Sequence, residues 1–350
     1  MYTRILVSVA GLCTSLGAAA AVPEVALREV QNIALPTVSG AIDHLAVDVT
    51  GEKLFVAASA DHSVEAVDLK AGQVAARLTG LKQPRRVALL PLTAEIRGMA
   101  LLSSTSGVPQ WPALIVTNGA DLHAEVYDGL TLRPLKQIEV EQHQGDIQVD
   151  PRVARTYIGG ESNGAGVLAV IDEFYVKVAE IHLSARPASF RLDSNGERIF
   201  VNLPSVGTVA VVDRLQNQVV ASWPLAGQGN FAVALDELHH RLFVATREPA
   251  KLLVLDTRTG QTVAALDCVG EAEDIFYAAD RGLVYVSGAE GFIDVFRQID
   301  SDRYELVQKV PTAKGARASL YVSQWHRLFV AMPSRPGTAP RIRIYEAEGL

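Results

Sequence analysis

Cysteine is the scarcest reactive residue in this chain: 350 residues hold two, Cys13 and Cys268. Cys13 falls in an N-terminal leader whose removal leaves Cys268 alone, and one cysteine makes no intrachain disulfide. Stability must therefore come from packing. Cys268 itself reads as a small buried hydrophobe at the end of an outer strand, not as a nucleophile. No C-x-x-C-H stretch supports covalent haem, and neither H-E-x-x-H nor a P-loop pattern occurs. His239-His240 lacks metal-ligand spacing. No cofactor and no catalytic or metal-ligating set is expected from these absences. Positive charge is also short. Lys and Arg number 32 against 39 Asp and Glu, a net charge of -7, and losing Arg4 with the leader makes it -8. That balance disfavours general binding to phosphate backbones, so a nucleic-acid partner is not the first expectation.

What is present begins with the leader. Arg4 precedes an apolar core, Ile5 to Leu16, and small residues Ala18 to Ala21 offer cleavage sites. This is the pattern of a signal peptide over residues 1–21, and the apolar core is too short to span a bilayer comfortably. The expectation is an exported chain, periplasmic or secreted, with residues 22–350 as one mature domain, no membrane span, and a monomer.

The stretch from Asp43 to Leu69 sets the pattern for the rest. LAVD, LFVAA and VEAVD are short apolar runs separated by TGEK and SADHS. Runs of four to six residues broken by Gly, Asp or Ser read as antiparallel strands joined by tight turns. The unit recurs. Leu45, Val87, Ile147, Phe190, Val233, Ile275 and Ser319 occupy one inner-strand position at spacings of 42, 60, 43, 43, 42 and 44. The single long spacing marks an insertion in the second unit, about residues 92–111. A large residue marks the second strand: Phe55, Tyr157, Phe200, Phe243, Tyr285 and Phe329. An Asp closes the third: Asp68, Asp128, Asp172, Asp213 and Asp256. Such an Asp starts a turn by accepting hydrogen bonds from the backbone just beyond it.

A fourth strand follows in each unit except the last, which ends after IRIYE. The missing strand is expected at the other end of the chain, within Ala26 to Pro36. Seven four-stranded units of 40 to 45 residues are what a propeller needs. The fold expected is all-β: a seven-bladed β-propeller whose ring closes when the N-terminal strand joins the last blade, removing open sheet edges.

The second-strand segments FVAA, IVTN, FVNL, FVAT, YVSG and FVAM, with the terminal acids, resemble the YVTN-repeat β-propellers, the YncE-like proteins of bacteria. The resemblance covers Ala26 to Glu346. It implies a seven-bladed propeller, commonly exported, with binding roles and few enzymes, and its repeat residues are structural. The insertion departs from the usual compact repeat.

Strand order puts the residues that enter the inner strands around one mouth of the central channel. Candidate ligand contacts there are Asp43, His44, Arg85, Arg86, Asp146, Asn230, Glu273, Asp274 and Arg317. Polar groups converging on a concavity mark a binding site, and paired guanidinium groups suit a carboxylate or phosphate. Three mouth arginines face four mouth acids in this reading. The function expected is a ligand- or protein-binding module, with a small anionic ligand or a protein as partner. The alternatives are a metal-assisted hydrolase or lactonase-like enzyme, using Asp146, Glu273 and Asp274 for a hard cation, and nucleic-acid binding. Gly160 to Gly164 matches G-x-S-x-G, but it falls between two strands, where a nucleophile elbow does not form. His62 and His123 read as solvated turn residues.

Overall fold

The structure is a computed structural model that describes residues 26–90, 112–140, 143–194 and 196–347. The expected leader and the insertion at about 92–111 lie outside the described residues. Among those residues, 28 strands form seven antiparallel sheets of four. The fold is the seven-bladed propeller, and the only helical turns among the described residues are the 3-10 segments Ser59–Asp61 and Ser323–Trp325.

The inner strands of blades one to seven are His44–Asp48, Pro84–Leu90, His143–Asp150, Phe190–Leu192, Ala232–Asp236, Ala272–Ala278 and Ser319–Val322. The last sheet is completed from the chain's beginning. Leu27–Ala34 pairs antiparallel with Arg341–Ala347, matching Leu27 to Ala347 and Ala34 to Arg341. The connection to blade one is held as well. Leu35 donates its N–H to the Pro340 carbonyl. Thr37 Oγ1 donates to buried Glu65 at 2.8 Å, and Ser39 and Gly40 donate backbone N–H groups to the Asp61 carboxylate.

The core is not one body but seven wedges, each between two neighbouring blades. The second-strand markers fill them: Phe55, Tyr157, Phe200, Phe243, Tyr285 and Phe329 are all at most 1% exposed. The wedge between blades seven and one contains Ile33, Leu35, Leu45, Val56, Phe329 and Ile344. The joint between the chain's ends is thus packed like every other joint.

Turn chemistry follows the expectation. Asp68, Asp128, Asp172, Asp213 and Asp256 each accept backbone N–H groups from the turn beyond the third strand. The same device closes the inner strands, where Asp48, Asp150 and Asp236 cap their turns. The G-x-S-x-G stretch is a two-residue hairpin. Asn163 and Gly164 have φ of 52° and 81° between paired Ser162 and Ala165. Two successive positive φ values are the primed turn that Asn-Gly favours, and it presents no nucleophile elbow.

Candidate functional site

Each inner strand begins at the same face of the ring, so the residues entering it converge on the channel mouth. A cavity of about 370 Å³ occupies that mouth. Its wall includes Asp43, Arg85, Arg86, Asp146, Glu273 and Arg317, six of the nine residues nominated from sequence, drawn from blades one, two, three, six and seven. A second cavity of about 250 Å³ lies against the inner strands and is lined by His44 and Asp274, with Arg86, Asp146 and Glu273 shared between the two. Asn230 lines neither cavity. It is fully buried, and its amide Nδ2 donates to Asn202 Oδ1 at 3.1 Å and to the Thr208 carbonyl at 2.9 Å. It ties blade five to blade four instead of facing the channel.

Two arginines join the site that the ring-entry positions did not reveal. Arg186 lies in the loop between blades three and four, on the wall of the mouth cavity. Arg191 lies within the inner strand of blade four, beside the channel cavity. Five arginines (Arg85, Arg86, Arg186, Arg191 and Arg317) thus face four acids across the two cavities. One of those acids is already engaged: Glu273 Oε2 meets Arg247 Nη2 at 2.5 Å, while the Arg247 guanidinium stacks 3.8 Å from the Phe231 ring centre. The balance at the mouth is cationic, the reverse of the whole chain.

The groups divide by depth. At the rim, Asp43 is shared by Arg85 at 3.6 Å and Arg317 at 3.8 Å. Both distances are long for charge-assisted bonds, and both guanidinium groups are well exposed. Arg186 is exposed too, and makes no ion pair among the described residues. Gly119 gives Arg85 its place, since a Cβ there would lie 2.6 Å from Arg85 Nε. These three rim arginines have donors to spare.

Deeper in, the charges are matched to one another. Arg86 Nε lies 3.5 Å from Asp146 Oδ1, and Arg191 Nη1 lies 3.9 Å from Asp146 Oδ2. Asp146 Oδ2 also accepts the Phe190 N–H at 3.1 Å, joining blade three to blade four. Arg86 Nη1 donates to His44 Nδ1 at 2.7 Å. Burial, followed by the Arg86 and Arg191 charges, holds His44 well below the ordinary imidazole range, so the ring is neutral at pH 7. Burial also opposes the charge on Arg86, but Asp146, helped by Asp274, Glu273 and Asp43, more than restores it. Arg191 lacks enough such help, and burial lowers it.

Asp274 sits at the opposite wall. Its Oδ2 accepts the Ser319 N–H at 2.7 Å, joining blade six to blade seven. Burial pushes its carboxyl up to about 6 from the usual 3.8, against the pull of Arg86. Between those two pH values the folded chain binds more protons at this group than the unfolded chain. Its stabilising contribution is therefore complete below about pH 4 and is lost as pH rises through about 6. An Asp274→Asn variant keeps an acceptor for Ser319 without the charge. Its melting temperature should gain on the parent's as pH rises from 4 to 6, then run parallel above that. A constant difference across the range, measured by calorimetry, would contradict the raised value.

The remaining nominated groups lie apart from this set. His62 is exposed, and its Nδ1 accepts the Gln83 N–H at 3.3 Å. His123 Nδ1 meets Asp121 at 2.9 Å, and His239 Nδ1 meets Asp236 at 2.8 Å on the opposite face. Cys268 lies just beyond the outer strand Thr262–Asp267. It is half-buried and not fully buried, and burial pushes its thiol up to about 12, leaving it protonated. Among the described residues, no three His, Cys, Asp or Glu side chains converge as a metal donor set. Asp146 and Asp274 are each committed to a neighbouring blade's N–H group, and Glu273 to Arg247.

No family model matches the chain, and no curated protein matches it in sequence. Among solved structures it resembles Kuenenia stuttgartiensis hydrazine synthase, with a TM-score of 0.70 and 17% identity. The likeness covers 87% of this chain and 96% of that chain. At such identity what the two share is the propeller fold, a frame that hosts many unrelated activities.

Proposed function

We propose that this chain is an exported propeller of the YVTN-repeat type that binds a small anionic ligand, a carboxylate or phosphate, at the channel mouth. Export is supported by the apolar stretch Ile5 to Leu16 and the small residues after it. Repeat type is supported by segments such as Ile115-Val116-Thr117-Asn118. The observation that carries the binding reading is the convergence of Arg85, Arg186 and Arg317 on one cavity with donors unspent.

The deeper arginines are unsuited to the same work, because Arg86 and Arg191 already answer Asp146. They supply positive potential to the cavity floor while the rim groups make direct bonds. A guanidinium offers two parallel donors to a carboxylate or phosphate, which favours planar, multiply charged anions over single halides. A broad apolar partner fits less well, since Phe231 is the only aromatic residue on the wall among the described residues.

The test is titration of the mature protein with citrate, succinate and inorganic phosphate, followed by calorimetry. At least one should bind saturably at a single site. Replacing Arg85, Arg186 and Arg317 together with Ala should weaken that binding at least about tenfold, since each charge-assisted bond contributes on the order of 1.5–3 kcal/mol. The variant should fold normally, because these side chains are exposed and loosely paired. Full retention of affinity in the triple variant would place the site elsewhere.

A further inference from the structure

On the face opposite the mouth, the turns of blades three to six pair arginine with aspartate. Asp150 holds Arg152 and Arg214, Asp193 holds Arg198, Asp256 holds Arg241 and Arg258, and Asp300 holds Arg303. Blade seven makes no such pair among the described residues. Its inner strand ends at Val322 and is followed by Ser323, not Asp. Its third strand does place Glu346 opposite Arg327, but the Glu346 carboxylate takes Arg28 at 3.1 Å. The Arg327 guanidinium is left with no partner among the described residues.

That unspent guanidinium borders a cavity of about 380 Å³ between blades seven and one. Lys70, Glu52 and Gln31 share the wall, and their side chains also make no hydrogen bond or ion pair among the described residues. The apolar side is Trp325, half-exposed with its ring centre 6.2 Å from that of Phe329, together with Leu69. Two free cations, one free acid and an accessible indole thus surround one space, whereas the turn arginines of blades three to six named above are paired with aspartates.

We infer that this cavity is a second binding site, for an aromatic α-amino acid. The ring would lie against Trp325 and Leu69, where stacking and burial act together. The carboxylate would take Arg327 and Lys70, and the ammonium group would take Glu52. The volume suits a ligand of that size. Gln31 belongs to the N-terminal strand, Glu52 and Lys70 to blade one, and Arg327 to blade seven. A molecule held here touches both sides of the joint that closes the ring, so it binds the closed form and raises the melting temperature.

The experiment titrates the mature protein with phenylalanine, and with phenethylamine, which lacks the carboxylate, reading tryptophan fluorescence and thermal shift. Phenylalanine should bind saturably at one site, with Kd in the range of about 10 μM to 1 mM, and raise the melting temperature. Phenethylamine should bind at least about tenfold more weakly. Arg327→Gln and Trp325→Ala should each lose a similar factor, while the triple mouth variant keeps full affinity. Arg327→Lys, which keeps the charge without the paired donors, should fall between parent and Arg327→Gln, and Trp325→Phe should retain part of the stacking if Trp325→Ala folds poorly. Absence of saturable binding, or affinity within twofold of the parent in Arg327→Gln, would overturn the assignment.

Discussion

Deleting Ala26 to Pro36 should leave the chain largely unfolded at room temperature, or lower its melting temperature by tens of degrees. The segment supplies the whole outer strand of blade seven and part of the wedge between blades seven and one. Leu27, Ile33 and Leu35 are at most 2% exposed. Burying such a side chain contributes roughly 1.5–3 kcal/mol, so three contribute about 5–9 kcal/mol. Whole domains are stable by only about 5–15 kcal/mol. The deletion also strips the backbone partners from one edge of Arg341–Ala347 and leaves that edge bare, which invites aggregation. A milder probe is Ile33→Ala, expected to cost about 2–5 kcal/mol in urea denaturation. A truncated protein that melts within a few degrees of the parent would mean that the ring does not need its closing strand.

Arg86→Ala is the second large effect, expected to cost about 3–5 kcal/mol. Arg86 has a side chain only 14% exposed and faces Asp146, whose side chain is 4% exposed. Removing the arginine leaves a buried carboxylate with Arg191 at 3.9 Å as its remaining ion-pair partner, and takes the donor from His44 Nδ1. The neighbouring Arg85→Ala should change stability by less than about 1 kcal/mol, because its side chain is 48% exposed and its ion pair is long. Adding Asp146→Asn to Arg86→Ala should recover part of the loss by removing the stranded charge, although the Phe190 N–H still needs its acceptor. Equal stability of Arg86→Ala and the parent, in denaturant unfolding, would show that Arg191 alone satisfies Asp146.

These two variants also separate architecture from site, and the sequence treats the two unequally. The ring is legible because its causes are local and repeated. Phe55, Phe200 and Phe329 recur at one register because each fills an equivalent wedge, and an Asp recurs where the third strands of blades one to five turn. Closure is legible because the last unit stops one strand short and Ala26 to Pro36 has no other place. The set of mouth residues is legible in part, since the position entering each inner strand is fixed by the repeat.

The site's electrostatics are not legible in the same way. Arg186 lies in an inter-blade loop, where no periodicity points, so the ring-entry positions alone count fewer rim cations than the structure holds. Arg191 carries a faint signal, a charge between Phe190 and Leu192 on an inner strand, where blades one, two and five have Ala46, Ala88 and Ala234 at the matching place. Asn230 misleads because the residues just before an inner strand can turn toward the channel or toward the next blade. Asn202 decides that choice, and it comes from a different blade 28 residues earlier. His44 was visible as a ring member, but its neutrality depends on burial beside two arginines, a fact of packing and not of sequence spacing.

Anion binding by this propeller requires the rim arginines of the mouth. The most direct measurement is a crystal of residues 22–350 grown with bromosuccinate, with the bromine located by its anomalous scattering. The account predicts one strong peak in the mouth cavity, with the carboxylates within hydrogen-bond reach of Arg85, Arg186 or Arg317. Bromosuccinate that binds in solution but gives its peak only outside that cavity would contradict it.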